Sequence, residues 1–317
     1  MTRRIITGVP ALKFGEGRDC TLPASLAIAT KSDYDWVMGC SGASFETKID
    51  NEQWDPLAAA PLDDATLERG ARAVGVTTDV VVPPFDDEMR ELVLARVMEG
   101  IDGGVPPLVR GLGGPPEYGL IVGYDTEGPT FLARTYFDKG KEPARAGWEA
   151  FESAERGTPV FLDAGTTVEE KTAALAGLDA AVASSEASDA ALRAWIDGLR
   201  DDTRWTDAKH AGSAAFGDHA MRLLLADKRR SAARFLRSLR TMYASLPGAD
   251  LLRAAESYGY VADAAERGGT GPFDGTVAMR FLDAGQRRAW ANLLEGALAH
   301  EASAHESLRS ARARMRS

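Results

Sequence analysis

Residues 17–30 read GRDCTLPASLAIAT. A polar, glycine-bearing approach gives way at Cys20 to an apolar run, which is how a helix begins. Asp19 is a candidate N-cap, and Leu22, Leu26 and Ile28 supply the apolar positions beyond it. Pro23 fits such a helix only in its first turn, where no intrahelical N–H is required. A thiol there faces unpaired backbone N–H groups and the positive end of the helix dipole, both of which favour the thiolate. Arg18, two residues earlier, adds a cation. The competing reading is that Cys20 is a small buried hydrophobe, a common fate of free cysteines.

DATLERGARAVG (64–75) and DDEMRELVLARVMEGI (86–101) show helical spacing. In the second, Met89, Leu92, Val93, Val97 and Ile101 are expected on one face. TDVVVPP (78–84), PPLVRGL (106–112), YGLIVGYD (118–125), PTFLARTYF (129–137) and TPVFL (158–162) are strand candidates, and TEG joins two of them as a hairpin. VMGCSGASF (37–45) reads as a packed strand and turn, with Cys40 in the core. Helices followed by a largely antiparallel sheet predict α+β.

From about Thr166 the texture becomes helical, with segments near 167–183, 188–200, 249–266 and 284–314 and a loop at GGTGPFDG (268–275). In HAMRLLLADKRRSAARFLRSLRTMY (219–243), Met221, Leu224, Leu225, Ala232, Phe235, Leu236, Leu239, Met242 and Tyr243 recur at three- and four-residue steps. The length of 317 residues suits two domains. The expected boundary lies near Ala164, giving an α+β domain over 1–163 and an all-α helical domain over 164–317.

Charge is unevenly spread. Residues 1–163 carry 16 basic and 27 acidic side chains, against 21 and 20 in the remainder. The acidic first half argues against a nucleic-acid partner there. No segment approaches the roughly 20 uninterrupted apolar residues of a membrane span, and no signal-peptide run is seen, so a cytoplasmic location without membrane contact is expected. Two cysteines without CxxC spacing exclude a disulfide scaffold and a thiol metal site, although a single Cys20–Cys40 bridge stays open. All four histidines, His210, His219, His300 and His305, lie in the second half.

Three segments in order, GRDCTLPASLAIAT, VMGCSGASF, and PPEYGLIVGYD (115–125) followed by TYFD (135–138), together resemble the papain-like superfamily. Within it they resemble the N-terminal domain of butirosin biosynthesis protein H and related double-glycine-leader peptidases. The resemblance covers roughly residues 8–163, and KRRSAARFL in the helical part is similar to the second domain of the butirosin-type proteins. It implies a papain-like fold with Cys20 as nucleophile, opening the first long helix. A histidine on the YGLIVGYD strand is also implied, with Asp138 orienting it.

The histidine position is occupied by Glu117, or by Tyr118 if the register slips by one, and Phe14 stands where many members place an oxyanion-hole glutamine. With an ordinary pKa near 4.3, against roughly 8.5 for a thiol, a carboxylate is a weak base for cysteine. Its charge also raises the thiol pKa. Repulsion between Glu117 and Asp138 would leave one of them protonated as a general acid, and His210 or His219 is the alternative source of an imidazole. A thiolate with two carboxylates is a poor metal set, so neither metal nor cofactor is expected.

Two readings stand. One is a cysteine-dependent acyltransferase or amide/peptide hydrolase using Cys20, Glu117 and Asp138. The other is a catalytically silent papain-like scaffold that binds a small molecule or peptide in a cleft bordered by Arg18, Asp19 and Tyr118. Gly113, Gly114, Pro115 and Pro116 lead into Glu117 and are expected to shape its rim. In the run Lys228, Arg229, Arg230, Arg234, Arg237 and Arg240, helical spacing places Arg230, Arg234 and Arg237 on one face. That face is either simply solvated or, as the resemblance implies, a dock for an acidic carrier protein. ALAHEASAHESL (297–308) misses the HExxH spacing and reads as a polar helix face.

Overall fold

The computed structural model describes residues 3–128, 130–140 and 142–316. The chain is α+β, and its contacts form two units, Met1–Val37 with Leu62–Ala173, and Met38–Pro61 with Ala174–Ser317.

In the first unit a short strand, β1 (Arg3–Ile5), leads through an irregular segment to α1 (Thr21–Thr30). Cys20, in extended conformation, is the N-cap of α1, and Pro23 falls in the first turn. Asp19 is therefore not the cap; its carboxylate instead accepts a hydrogen bond from the Gly15 N–H. Nearly all of α1 is buried, as expected for a helix apolar on every side. The helix stops where Lys31 turns left-handed and the Ser32 N–H returns to the Ala27 carbonyl at 2.9 Å.

Helix α2 (Tyr34–Ser41) covers the first half of VMGCSGASF, where a strand was expected. Its small residues do permit close approach, but between helices. A Cβ on Gly39 would lie 2.2 Å from the Phe235 ring, and one on Gly177 would lie 2.1 Å from the Gly39 carbonyl oxygen. Cys40 is buried, and neither cysteine is in a disulfide.

Next come α3 (Asp64–Ala73), β2 (Val76–Val80), α4 (Asp87–Asp102), β3 (Leu108–Arg110), β4 (Tyr118–Asp125), β5 (Thr130–Arg134), β6 (Ala144–Ala146) and β7 (Thr158–Ala164). The aspartates Asp63 and Asp86 cap α3 and α4 through the Thr66 and Met89 N–H groups, at 2.9 and 2.8 Å. The sheet is antiparallel in the order β2-β7-β3-β4-β5-β6, with β1 also paired to β4. Pro129, first residue of the expected hairpin's second strand, lies outside the described residues.

Strand β4 is buried from Tyr118 to Tyr124 because both α1 and α4 pack on it. Its glycines admit the neighbouring strands: a Cβ on Gly119 would lie 2.5 Å from the Arg134 carbonyl oxygen. On α4, Val93, Val97 and Ile101 enter the core with Leu94 and Met98 beside them, whereas Leu92 is half exposed. Met89 also packs on this core, so Leu92 alone departs from the expected face.

The second unit contains α5 (Glu170–Arg200), α6 (Ala208–Met242), α7 (Gly248–Arg267), α8 (Val277–Leu282) and α9 (Ala284–Arg316), with α7 packed against both α6 and α9. Helix α5 is continuous where a break near residues 184–187 was expected. Its serines do not compete with the helix, since Ser185 donates to the Val182 carbonyl and Ser188 accepts from the Thr47 N–H. The α6 stripe is buried from Met221 to Leu239, and Met242 is exposed.

Residues 38–61, assigned by sequence to the first domain, join the helical unit through buried cations of α6. Lys228 Nζ donates to the Glu46 and Ala59 carbonyls at 3.2 and 2.6 Å, and Arg229 donates to the Ser44 carbonyl at 2.7 Å.

Candidate functional site

Cys20, Glu117, Tyr118, Asp138, Arg18 and Asp19 all belong to the first unit. The Cys20 residue is 0% exposed, and its backbone N–H donates to the Tyr34 hydroxyl at 3.4 Å. Thr21, equally buried, links α1 to β4. Its hydroxyl donates to the Glu117 carboxylate and accepts from the Tyr118 N–H at 3.1 Å. Glu117 thus reaches the start of α1 at the residue after Cys20.

The loop before β4 fixes that carboxylate's backbone. The Glu117 N–H donates to the Pro115 carbonyl at 2.7 Å, its own carbonyl accepts from the Gly111 N–H at 2.9 Å, and Arg110 holds the Pro116 carbonyl at 3.2 Å. A Cβ on Gly114 would lie 2.6 Å from the Phe137 ring, so the glycine-proline loop lies against the TYFD segment. Tyr118 brings its backbone to Thr21, while burial, opposed by Arg110, pushes its phenol up to about 12. The phenol therefore stays protonated at neutral pH.

Asp138 is occupied within its own turn. Its carboxylate accepts from the Thr135 N–H at 3.1 Å and the Thr135 hydroxyl at 3.0 Å, and faces Arg134 at 3.6 Å. Tyr136, in the same turn, donates its hydroxyl to the Arg18 carbonyl. Phe14 packs on Tyr136 with ring centroids 4.6 Å apart and planes tilted by 37°. These contacts tie the approach to Cys20 to the end of β5.

Beside that approach is a pocket of about 170 Å³. Leu12, Ile28 and Tyr136 form apolar walls, and Lys13, Glu16 and Arg18 bring charge to it.

No known family, curated protein or solved structure matches this chain.

In the helical unit, Lys228 and Arg229 are buried, and Arg230 pairs with Glu266 and with Asp263 at 2.7 Å. Arg234, Arg237 and Arg240 are exposed. Glu301 and His305, expected on a polar face, are buried instead. Glu301 receives Arg229, and His305 lies 3.1 Å from Asp189 through Nδ1 and 3.4 Å from Glu301 through Nε2. Arg229 is anchored further by Thr47 and lies over the Tyr258 ring at 5.2 Å. Asp218 accepts from the indole N–H groups of Trp195 and Trp290 at 2.9 and 2.8 Å.

The two histidines considered as bases have local partners. His210 stacks on Trp205, and His219 stacks on Phe273 beside Arg222, where burial and then the Arg222 charge lower its pKa. Among the described residues no three His, Cys, Asp or Glu side chains gather to hold a metal ion, and no helix is long and apolar enough to cross a membrane.

The residues missed by sequence reading are Thr21, Tyr34 and Tyr136. Tyr136 lies inside the quoted TYFD and Thr21 inside the quoted helix start, but nothing in either segment announces which hydroxyl pairs with which.

Proposed function

We propose that the first unit is a papain-like scaffold in which Cys20 is a packing thiol rather than a nucleophile, and that it binds a small molecule or peptide beside the N-terminus of α1. The observation that carries this reading is the complete burial of Cys20. A nucleophile must approach its target carbon to about 3–3.5 Å, and a thiol shielded on all sides offers no such path. Glu117 supports the same reading, because its carboxylate is engaged by the Thr21 hydroxyl and carboxylates are weak bases for thiols.

A second reading, a cysteine-dependent acyltransferase or amide/peptide hydrolase using Cys20, Glu117 and Asp138, draws support from the position of Cys20 as the N-cap of α1. Helix N-termini lower thiol pKa values. Alkylation of Cys20 followed against pH separates the two. The scaffold reading expects native labelling far slower than in the unfolded chain, and rapid labelling with a midpoint below about 8.5 overturns it.

A further inference from the structure

We propose that the pocket formed by residues 10–18, α1 and Tyr136 binds a small monocarboxylate with a short apolar body, its carboxylate held by Arg18. The proposal rests on the scaffold reading and names the ligand class of the same region.

The lining carries the argument. Leu12 is almost fully buried and, with half-buried Ile28 and the Tyr136 ring, forms apolar walls. The Tyr136 hydroxyl already donates to the Arg18 carbonyl, so this residue adds ring surface rather than a free phenol. Three charges reach the pocket, and two offset each other: Lys13 Nζ lies 3.7 Å from Glu16 Oε1. Arg18, exposed and lining the pocket, leaves a net positive charge beside apolar walls.

That combination selects an anionic head with an apolar tail, and a guanidinium fork matches a carboxylate with two parallel hydrogen bonds. With Lys13 and Glu16 paired, one uncompensated cation remains, which matches a single carboxylate. The backbone of Arg18 is fixed by Tyr136, and the adjoining Gly17 has φ +76°, a conformation that favours glycine. Arg18 is thus presented by a shaped turn.

The test uses the full chain and three six-carbon probes, hexanoate, hexan-1-ol and hexylammonium, titrated by ligand-observed NMR at low salt. Hexanoate should bind most tightly and hexylammonium least. Arg18→Gln should weaken hexanoate about tenfold, the worth of one charge-assisted pair, and leave hexan-1-ol unchanged. Glu16→Gln should strengthen hexanoate about twofold by removing a nearby like charge. Equal binding of the three probes, hexanoate affinity unmoved by Arg18→Gln, or no binding by any probe overturns the proposal. Incubation with a hexanoyl thioester keeps it separate from the scaffold reading. Mass gained on Cys20 with release of the free thiol contradicts that reading, while the titrations still decide the carboxylate site.

Discussion

The hydroxyl of Thr21 donates its hydrogen bond to the carboxylate of Glu117, 96 residues further along the chain. The same oxygen accepts from the Tyr118 N–H, so one buried side chain ties the start of α1 to the start of β4. Removing it leaves a backbone donor and a carboxylate without this partner. Thr21→Val, which keeps the shape, should therefore cost about 2–3 kcal/mol, whereas Thr21→Ser should cost much less. Urea unfolding of both variants and of Glu117→Gln checks this, and a Thr21/Glu117 double-mutant cycle should show coupling of at least about 0.5 kcal/mol.

The buried pair of Arg229 and Glu301 makes a sharper prediction, because both side chains are fully enclosed. Glu301→Leu alone strands the guanidinium and should destabilise by about 3–5 kcal/mol. Combining it with Arg229→Met should recover most of that loss, since replacing both charges removes the desolvation cost together with the attraction. Denaturation midpoints of the two single variants and the double variant decide the matter. A double variant no better than either single one contradicts the account.

Acid should weaken the helical unit through His305. Burial, and then the Arg229 charge, lower its pKa from 6.5 to about 4, while Asp189 pulls the other way. The folded imidazole thus refuses a proton that the unfolded chain accepts between about pH 6.5 and 4. Its contribution to stability is complete above that window and is lost as pH falls through it. At about 1.4 kcal/mol per pH unit, the loss is at most about 3–4 kcal/mol. Unfolding free energies measured across the window should slope downward toward acid, and His305→Gln should flatten that slope.

Asp218 anchors two indoles with one oxygen, Oδ1. Burial raises its pKa, and Arg222 is the largest opposing influence. Asp218→Ala leaves two buried indole N–H groups unpaired and should cost about 3 kcal/mol. Asp218→Asn keeps a carbonyl acceptor and should cost less. Thermal unfolding read by tryptophan fluorescence tests the order of the two.

Periodic segments were legible in the sequence, and particular residues show why the rest was not. The α6 stripe declares itself because its buried positions repeat at the helical period, and YGLIVGYD does so as a short apolar run rich in β-branched and aromatic residues, bounded by turn residues. VMGCSGASF gave a strand signal and formed a helix end, and the close approach that its Gly39 permits is to Phe235, a residue far away in sequence. Glu301 and His305 read as a polar face, and the burial of Lys228 and Arg229 went unannounced, because no local pattern reports that an oppositely charged group or a row of carbonyls will meet them in the core. Cys20 and Glu117 were brought to the same helix start, yet the hydroxyl of Thr21 between them carries no sequence signal. Asp138, read as part of the same site, is held by Thr135 and Arg134 in its own turn.

The thiol of Cys20 is enclosed, and peptide-resolved alkylation of the native full chain measures whether it can be reached. With no path to solvent, Cys20 should react only through opening of the structure, at least about a thousandfold more slowly than in urea. Labelling at or above the rate of a free thiol, with a midpoint below about pH 8.5, would contradict the account and restore Cys20 as a nucleophile.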